Sequence, residues 1–393
     1  MNWNDPQTQL SLKDLQETLN VRGRDSRVVR GAFWWSAFKK QLLAKLSRRL
    51  RRVEPKGAHI RVFFWLSGGL GDAACAKRLV SAYRQLLPTA EFAVYAPLPG
   101  VAHLLFGAEK NVRILPTQHI NYLSYDLALL AGLSVKFLHA DEARLAELAP
   151  SFLPVFKQAQ AAQQHLGSLL EDPFLTEWPL GRWLQAQGGR RFDLLSYTGG
   201  VTLLHDTAER LPSDLKALSR WGFAPQQYIT FHDGISTAQT VGTTRPTRAW
   251  PAAHWRDFLR LFKKEYPHLK VVQLGGENSP VYPEADVCLV GKTALQDLPA
   301  LLSGACAHVD TESGLVQLAQ YLNVKSVVIF GPTDQKFFGY TKNINLAAGS
   351  CGGCMWSTAD WMFTCPLGHA EPPCTAAVSV ETVLSALRQL LKP

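Results

Sequence analysis

The sequence predicts an α/β protein of two consecutive parallel-sheet domains that face each other across a cleft. Three observations carry that expectation. The chain is 393 residues long, enough for two domains that each bury a core of ordinary size. Apolar runs of strand length alternate with stretches whose apolar residues return every three or four positions, and the alternation occurs in two successive sets. Several runs end in glycine-rich or polar turns that open directly into a helical pattern, the place where open α/β sheets hold their ligands.

The first element is a basic N-terminal extension, residues 1–56. Residues 1–60 hold thirteen Lys and Arg against five Asp and Glu, so +8 of the formal net charge of +9 lies there. Within residues 31–52, Phe33, Trp34, Phe38, Leu42, Leu43 and Leu46 recur at roughly helical spacing. Lys39, Lys40, Lys45, Arg48, Arg49, Arg51 and Arg52 fall between them. That amphipathic pattern fits an interfacial helix drawn to an anionic membrane surface, or a helix docked on the body with a solvated basic face. No recognisable nucleic-acid module follows, so nucleic acid is not expected as a partner. No apolar run approaches the roughly 18 to 20 residues that span a bilayer, and no signal peptide opens the sequence. The expected location is the cytoplasm, with peripheral attachment to the inner face of the membrane.

The N-terminal domain is expected over residues 57–220. HIRVFFWL (59–66) has the length of a buried strand and runs into SGGLGD; the helical pattern DAACAKRLVSAYRQLL starts at Asp72. Residues 91–97, 111–116, 126–132 and FDLLSY (192–197) read as further strands. The C-terminal domain is expected over residues 221–393. Its strands are read at 228–232, 269–276, 286–290, 306–310 and 325–331, with helices near 254–266 and 295–305.

Asp-Thr-Glu-Ser-Gly (310–314) sits between the strand CAHVD and the helix SGLVQLAQYL. A strand-to-helix turn of this kind offers backbone N–H groups and the positive end of a helix dipole to a diphosphate, and Gly314 permits close approach. The alternative is that Thr311 or Ser313 caps the helix.

Three other motifs accompany the turn: GGLGD (68–72), RPTRAWPAAHW (245–255) and FGPTD (330–334). Together they resemble the heptosyltransferase-like glycosyltransferases of family nine, from about Ile60 to the C-terminus and most strongly over 245–340. The resemblance implies the GT-B architecture of two Rossmann-like domains. It assigns Asp72 as general base on an acceptor-side turn of Gly68, Gly69 and Gly71, Arg248 to the nucleotide diphosphate, and Glu277 to the ribose. Asp310, Thr311, Glu312, Ser313, Gly314, Leu315 and Gln317 fall to the donor. The residue chemistry agrees. A carboxylate must take the proton of an attacking hydroxyl, a guanidinium clamps phosphate in a bidentate manner, and a carboxylate after Gly275-Gly276 can accept two ribose hydroxyls. Each also has a plainer reading: Asp72 as an N-cap, Arg248 as a surface charge beside Trp250, Glu277 as a loop acid. The family turn runs Asp-Thr-Gly and places a histidine in the next helix. Here Glu312 and Ser313 are inserted and Gln317 stands at the histidine position, so the donor need not be ADP-heptose.

Near the C-terminus Cys351, Cys354, Cys365 and Cys374 follow the spacing C-x2-C-x10-C-x8-C, which predicts a knuckle (351–374) holding one structural zinc or iron per chain. Two disulfides are the alternative. Cys75, Cys288 and Cys306 lie in apolar context as core residues, and His308 and His369 are read as bystanders.

The expected function is inverting transfer of a heptose or related sugar from a nucleotide-diphosphate donor to a surface-glycan or lipopolysaccharide-type acceptor, with no catalytic metal. A non-catalytic scaffold of the same architecture and a nucleotide-sugar epimerase are the rival readings. Nucleotide-sugar turnover and product analysis without acceptor separate them.

Overall fold

The computed structural model describes residues 1–25, 57–116, 120–170, 179–235, 246–349, 351–358 and 360–392. Its first sheet comprises β1 (Arg61–Leu66), β2 (Glu91–Tyr95), β3 (Val112–Ile114), β4 (Leu127–Ala131) and β5 (Val135–Ala140), in the order β3-β2-β1-β4-β5. The second comprises β6 (Tyr228–His232), β7 (Lys270–Gln273), β8 (Val287–Cys288), β9 (His308–Thr311), β10 (Ser326–Phe330) and β11 (Ile344–Ala347), in the order β11-β10-β9-β6-β7-β8. Every pairing in the second sheet is parallel. The central strands explain why the sequence reads as continuous apolar runs. Val62, Phe63, Phe64 and Leu66 of β1 are fully buried, as are all five residues of β6 to within His232's small exposure, because both faces of these strands are covered.

The described helices are α1 (Pro6–Asp25), α2 (Leu70–Leu86), α3 (Val101–Phe106), α4 (Glu142–Leu148), α5 (Leu153–Leu166), α6 (Pro179–Ala186), α7 (Arg191–Gly199), α8 (Ala252–Glu265), α9 (Leu298–Ser303), α10 (Gly314–Tyr321), α11 (Gln335–Phe338), α12 (Pro373–Ala376) and α13 (Val380–Leu391). None of them is long and apolar enough to cross a membrane.

Two strand expectations are corrected. Residues 192–197 are not a strand but the body of α7. Phe192, Leu194, Leu195 and Thr198 are buried at helical rather than alternating spacing, and the Asp193 carboxylate accepts the Arg190 N–H at 2.8 Å to close the first turn. The first sheet is also not wholly parallel, since β5 runs antiparallel to β4 with a register shift at Ala128/Leu129. β5 is an edge strand whose residues after Val135 are only partly buried or exposed, so its apolar pattern is weak.

The start of the expected N-terminal extension belongs to the first domain. Trp3 stacks on Tyr197 with ring centroids 4.2 Å apart, Leu12 is buried, and Trp183 Nε1 donates to Ser11 Oγ at 2.8 Å. The basic stretch 31–52 lies outside the described residues.

The domains meet where α2 packs on α10. The Tyr321 hydroxyl donates to the Ala74 carbonyl at 2.6 Å, and the Arg78 guanidinium lies over the rings of Phe192, Tyr321 and Tyr340. At the front of this contact two glycines face each other. A β-carbon at Gly71 would lie 3.2 Å from Gly314 Cα, and one at Gly314 only 3.0 Å from the Gly71 nitrogen. The N-termini of two helices from different domains therefore approach backbone to backbone.

Candidate functional site

The strand-end turns after β1 and β9 bring the candidate residues together. In the first, Gly68 has φ +81°, and a β-carbon there would fall 2.3 Å from Asp72 Oδ2. Glycine is thus required both for the turn and for the space that the carboxylate occupies. Gly69 precedes α2, and Asp72 lies in the first turn of that helix rather than at its cap. The Asp72 side chain keeps 31% exposure at the cleft. Burial of its carboxyl pushes the pKa above the usual aspartate range, against the lowering influence of Arg191, the Gly69 N–H and Arg248.

Arg191 is the residue that the sequence reading missed. Its side chain is 2% exposed, its Nη2 donates to the Gly132 carbonyl at 3.1 Å, and the same nitrogen stands 3.6 Å from Asp72 Oδ1. The available signal was the Arg190-Arg191 pair directly ahead of a run buried at helical spacing. Reading that run as a strand hid it.

In the second turn Asp310 is fully buried between two histidines. His232 Nδ1 lies 3.1 Å from Oδ1, His308 Nε2 lies 3.1 Å from Oδ2, and the Ser313 hydroxyl donates to Oδ2. His308 in turn meets the Thr230 hydroxyl at 3.0 Å. Burial alone would raise the Asp310 carboxyl, but the charge and hydrogen bond of His232, with those of His308, outweigh it and hold the pKa below the usual range. For His232 burial works downward, and Asp310 reverses it to leave the imidazole above its ordinary pKa. His308 is therefore part of this network and not a bystander. Two short sequences carried the signal, FHD (231–233) and HVD (308–310), which set a histidine and an aspartate together at the ends of adjacent strands.

The helix N-terminus itself is capped. Ser313 Oγ accepts the Leu315 N–H at 3.1 Å, so that donor is already satisfied, and the capping alternative for Ser313 holds. The Thr311 hydroxyl donates to the Asp233 carbonyl at 3.3 Å and faces Gly234, where a β-carbon could not fit.

Arg248 reaches the turn from the opposite side. Its Nη1 donates to the Glu312 carbonyl at 3.3 Å and lies 3.9 Å from the Glu312 carboxylate. Glu312 is buried, which raises its pKa; Arg248 opposes that, and Asp72 adds to it. The Gln317 side chain lies beside Glu312 and lowers its pKa. Its carbonyl Oε1 accepts from the Cys75 thiol at 3.3 Å and from the Tyr340 hydroxyl. Asp72, Arg191, Arg248, Glu312 and Gln317 thus form one charged cluster walled by both domains. Glu277 stands apart from it, exposed on the loop after β7 and packed against Gly291.

The four C-terminal cysteines share one neighbourhood. Cys374 is pushed up to about 12 by burial and then by Cys351, Cys354 and Cys365. The Gly353 N–H donates to the Gly331 carbonyl at 3.0 Å, and Cys374 Sγ lies close to the same glycine, so the loop rests on the 330–334 turn. Among the described residues, however, no group of three or more His, Cys, Asp or Glu side chains is placed to hold a metal ion. The expected tetrahedral set is not assembled in this geometry.

Residues 226–369 match the family described as Glycosyltransferase family 9 (heptosyltransferase). The chain is 27% identical over 172 residues to lipopolysaccharide heptosyltransferase 1 of Pseudomonas aeruginosa, covering 38% of this chain and 46% of that protein. It is 30% identical over 107 residues to the Escherichia coli K12 protein of the same name, covering 26% and 34%. The matched stretch is thus less than half the length of these curated relatives. Among solved structures the fold is similar to E. coli ADP-heptose LPS heptosyltransferase II, with a TM-score of 0.54 and 15% identity over 84% of this chain and 98% of that one. It is also similar to TibC, an iron-containing dodecameric glycosyltransferase from enterotoxigenic E. coli, with a TM-score of 0.53 and 15% identity over 86% and 80%.

Proposed function

We propose that this chain, whose residues 226–369 carry the glycosyltransferase family 9 segment, is an inverting sugar transferase acting between a nucleotide-diphosphate sugar and a glycan or glycolipid acceptor. The observation that carries the reading is the convergence of a carboxylate of raised pKa, Asp72, with the Arg248 guanidinium and the N-terminus of α10 across one interdomain contact. Asp72 takes the proton of the acceptor hydroxyl as that oxygen attacks the anomeric carbon, and a pKa raised by burial makes it a stronger base for the task. The bond to the diphosphate breaks on the opposite face. Arg248 and the α10 dipole meet the negative charge that develops on the leaving group. Glu277, at the loop after β7, is assigned to the ribose. The names of the curated relatives favour a heptose or a related sugar and a lipopolysaccharide-type acceptor.

Cys351, Cys354, Cys365 and Cys374 are assigned a structural zinc or iron. Supporting this are four thiols close enough to influence one another and the suitability of an all-sulfur donor set for either ion. The metal would brace the 330–334 turn and takes no part in the chemistry. The basic residues 39–52 are assigned to an anionic membrane face, which places the reaction at the cytoplasmic side of its acceptor lipid.

The test of the transfer reading is turnover of a nucleotide sugar with and without acceptor, in the parent and in Asp72→Asn. The variant should retain donor binding and lose at least about a hundredfold in transfer. Near-normal turnover would remove Asp72 from the mechanism.

A further inference from the structure

We propose that Glu312 is the resident counter-ion of Arg248 and becomes a neutral acid, by taking up one proton, when a nucleoside diphosphate binds. The inference rests on the donor reading above and adds what the inserted acid of the 310–314 turn does.

Three features of the geometry lead to it. Arg248 is committed to Glu312 twice, through the backbone carbonyl at 3.3 Å and the carboxylate at 3.9 Å, so an arriving diphosphate competes for a guanidinium that already has an anionic partner. Glu312 cannot readily swing away. Its side chain is buried, and the neighbouring Gln317 is fixed because its carbonyl oxygen accepts from both Cys75 and Tyr340. Two acceptor contacts on Oε1 leave the amide NH2 to face Glu312. Finally, Arg191, the other cation of the cluster, is already engaged by the Gly132 carbonyl and by Asp72. Among the described residues the charged groups that act on Glu312 are Arg248, Asp72 and Asp310, and Cys75 lies beyond Gln317. Two of these are carboxylates.

A diphosphate drawn to Arg248 therefore leaves a buried carboxylate beside added negative charge, an arrangement relieved by protonating the carboxylate. The neutral carboxyl then donates its O–H to a phosphate oxygen, and its carbonyl oxygen can accept from the Gln317 amide. A repelling group becomes a hydrogen-bond donor, the role that a carboxylic acid kept neutral plays in other sites. Burial already works in this direction at Glu312, raising its pKa before any ligand arrives.

The experiment is isothermal titration calorimetry of ADP, UDP and GDP on the full chain, in buffers of different ionisation enthalpy across about pH 6.5 to 8.5. For the nucleotide that binds, the parent should take up close to one proton more than Glu312→Gln, and its affinity should fall by up to about tenfold more per pH unit. Comparison with the Gln variant cancels the phosphate's own titration, and the extra uptake should persist in Asp72→Asn. If Glu312→Gln does not fold, infrared difference spectra of the parent provide the readout: nucleotide binding should create a carboxylic-acid carbonyl band and deplete a carboxylate band. Equal proton counts in parent and variant, or no new acid band, would overturn the proposal and leave the donor reading standing. Failure of all three nucleotides to bind would overturn the donor reading and this proposal with it.

Discussion

Replacing Arg191 by Met should raise the pKa of Asp72 and carry the acid limb of the transfer reaction up with it. At 3.6 Å a unit-charge pair is worth about 4 to 5 kcal/mol at an effective dielectric constant of roughly 20, and about 1 kcal/mol in water. Asp72 is 31% exposed, so a value between these limits applies. A loss of about 1.5 to 3 kcal/mol corresponds to an upward shift of about 1 to 2 pKa units. The sign follows from the chemistry: a general base works only when deprotonated, so a higher pKa removes activity on the acid side and leaves it on the alkaline side. Arg191→Lys retains the charge and should recover most of the shift, although it forfeits the planar fork that also holds the Gly132 carbonyl. The assay is a carbon-13 titration of labelled aspartate carboxyls, with Asp72→Asn supplying the assignment; it needs neither donor nor acceptor. The pH dependence of kcat/KM then checks that the same group governs turnover. If the Asp72 resonance titrates within about 0.3 unit of the parent in a folded Arg191→Met protein, Arg191 does not tune the base.

The buried His232–Asp310–His308 network makes stability depend on pH. The lowered Asp310 pKa contributes stability that is present above the ordinary aspartate value and lost as pH falls through the folded value. The raised His232 pKa contributes stability that is complete below the ordinary histidine value and lost as pH rises through the folded one. The thermal stability gap between the parent and Asp310→Asn should therefore be widest between about pH 4 and pH 6.5 and narrow above it. In that window the substitution should cost about 3 to 5 kcal/mol, because it leaves buried histidines without their charge partner; a gap that is flat with pH would refute the linkage. For the cysteines, elemental analysis should find about one zinc or iron per chain, and Cys351→Ser with Cys354→Ser should lower thermal stability while sparing nucleotide binding. A metal-free protein of unchanged stability would end that assignment.

The two sheets were legible in the sequence because their central strands are buried on both faces and so read as unbroken apolar runs bounded by glycine or proline. The half-buried β5 and the two-residue β8 sit where that signal fades. The 192–197 error has a definite physical origin: Phe192, Leu194 and Leu195 suit a short strand as well as a helix turn, and only burial of Thr198 and Gly199 decides between them. Motif order located Asp72, Arg248 and the 310–314 turn, since these lie at strand-to-helix junctions where residue type and backbone geometry are tightly coupled. Partnerships were not legible. That Arg191 stands beside Asp72, or that Gln317 is clamped by Cys75 and Tyr340, depends on how two domains dock over long sequence separations. The Ser313 side chain took the Leu315 N–H that the sequence reading had left for a ligand, a choice between capping and binding that spacing alone does not make.

The contact between Gly71 and Gly314 has a bearing on how the two halves of the molecule are gauged. Where side chains set the distance between domains, any change of rotamer or residue size alters it. Here main-chain atoms meet directly at this point of the contact, and a β-carbon at either position, 3.2 or 3.0 Å from the opposing backbone, would require that backbone to give by a few tenths of an ångström. Two like dipole poles are pressed together at that point, and Asp72 places a carboxylate in the first turn of α2 beside them. Residue size at these two positions therefore governs how near the turn after β1 and the turn after β9 can come.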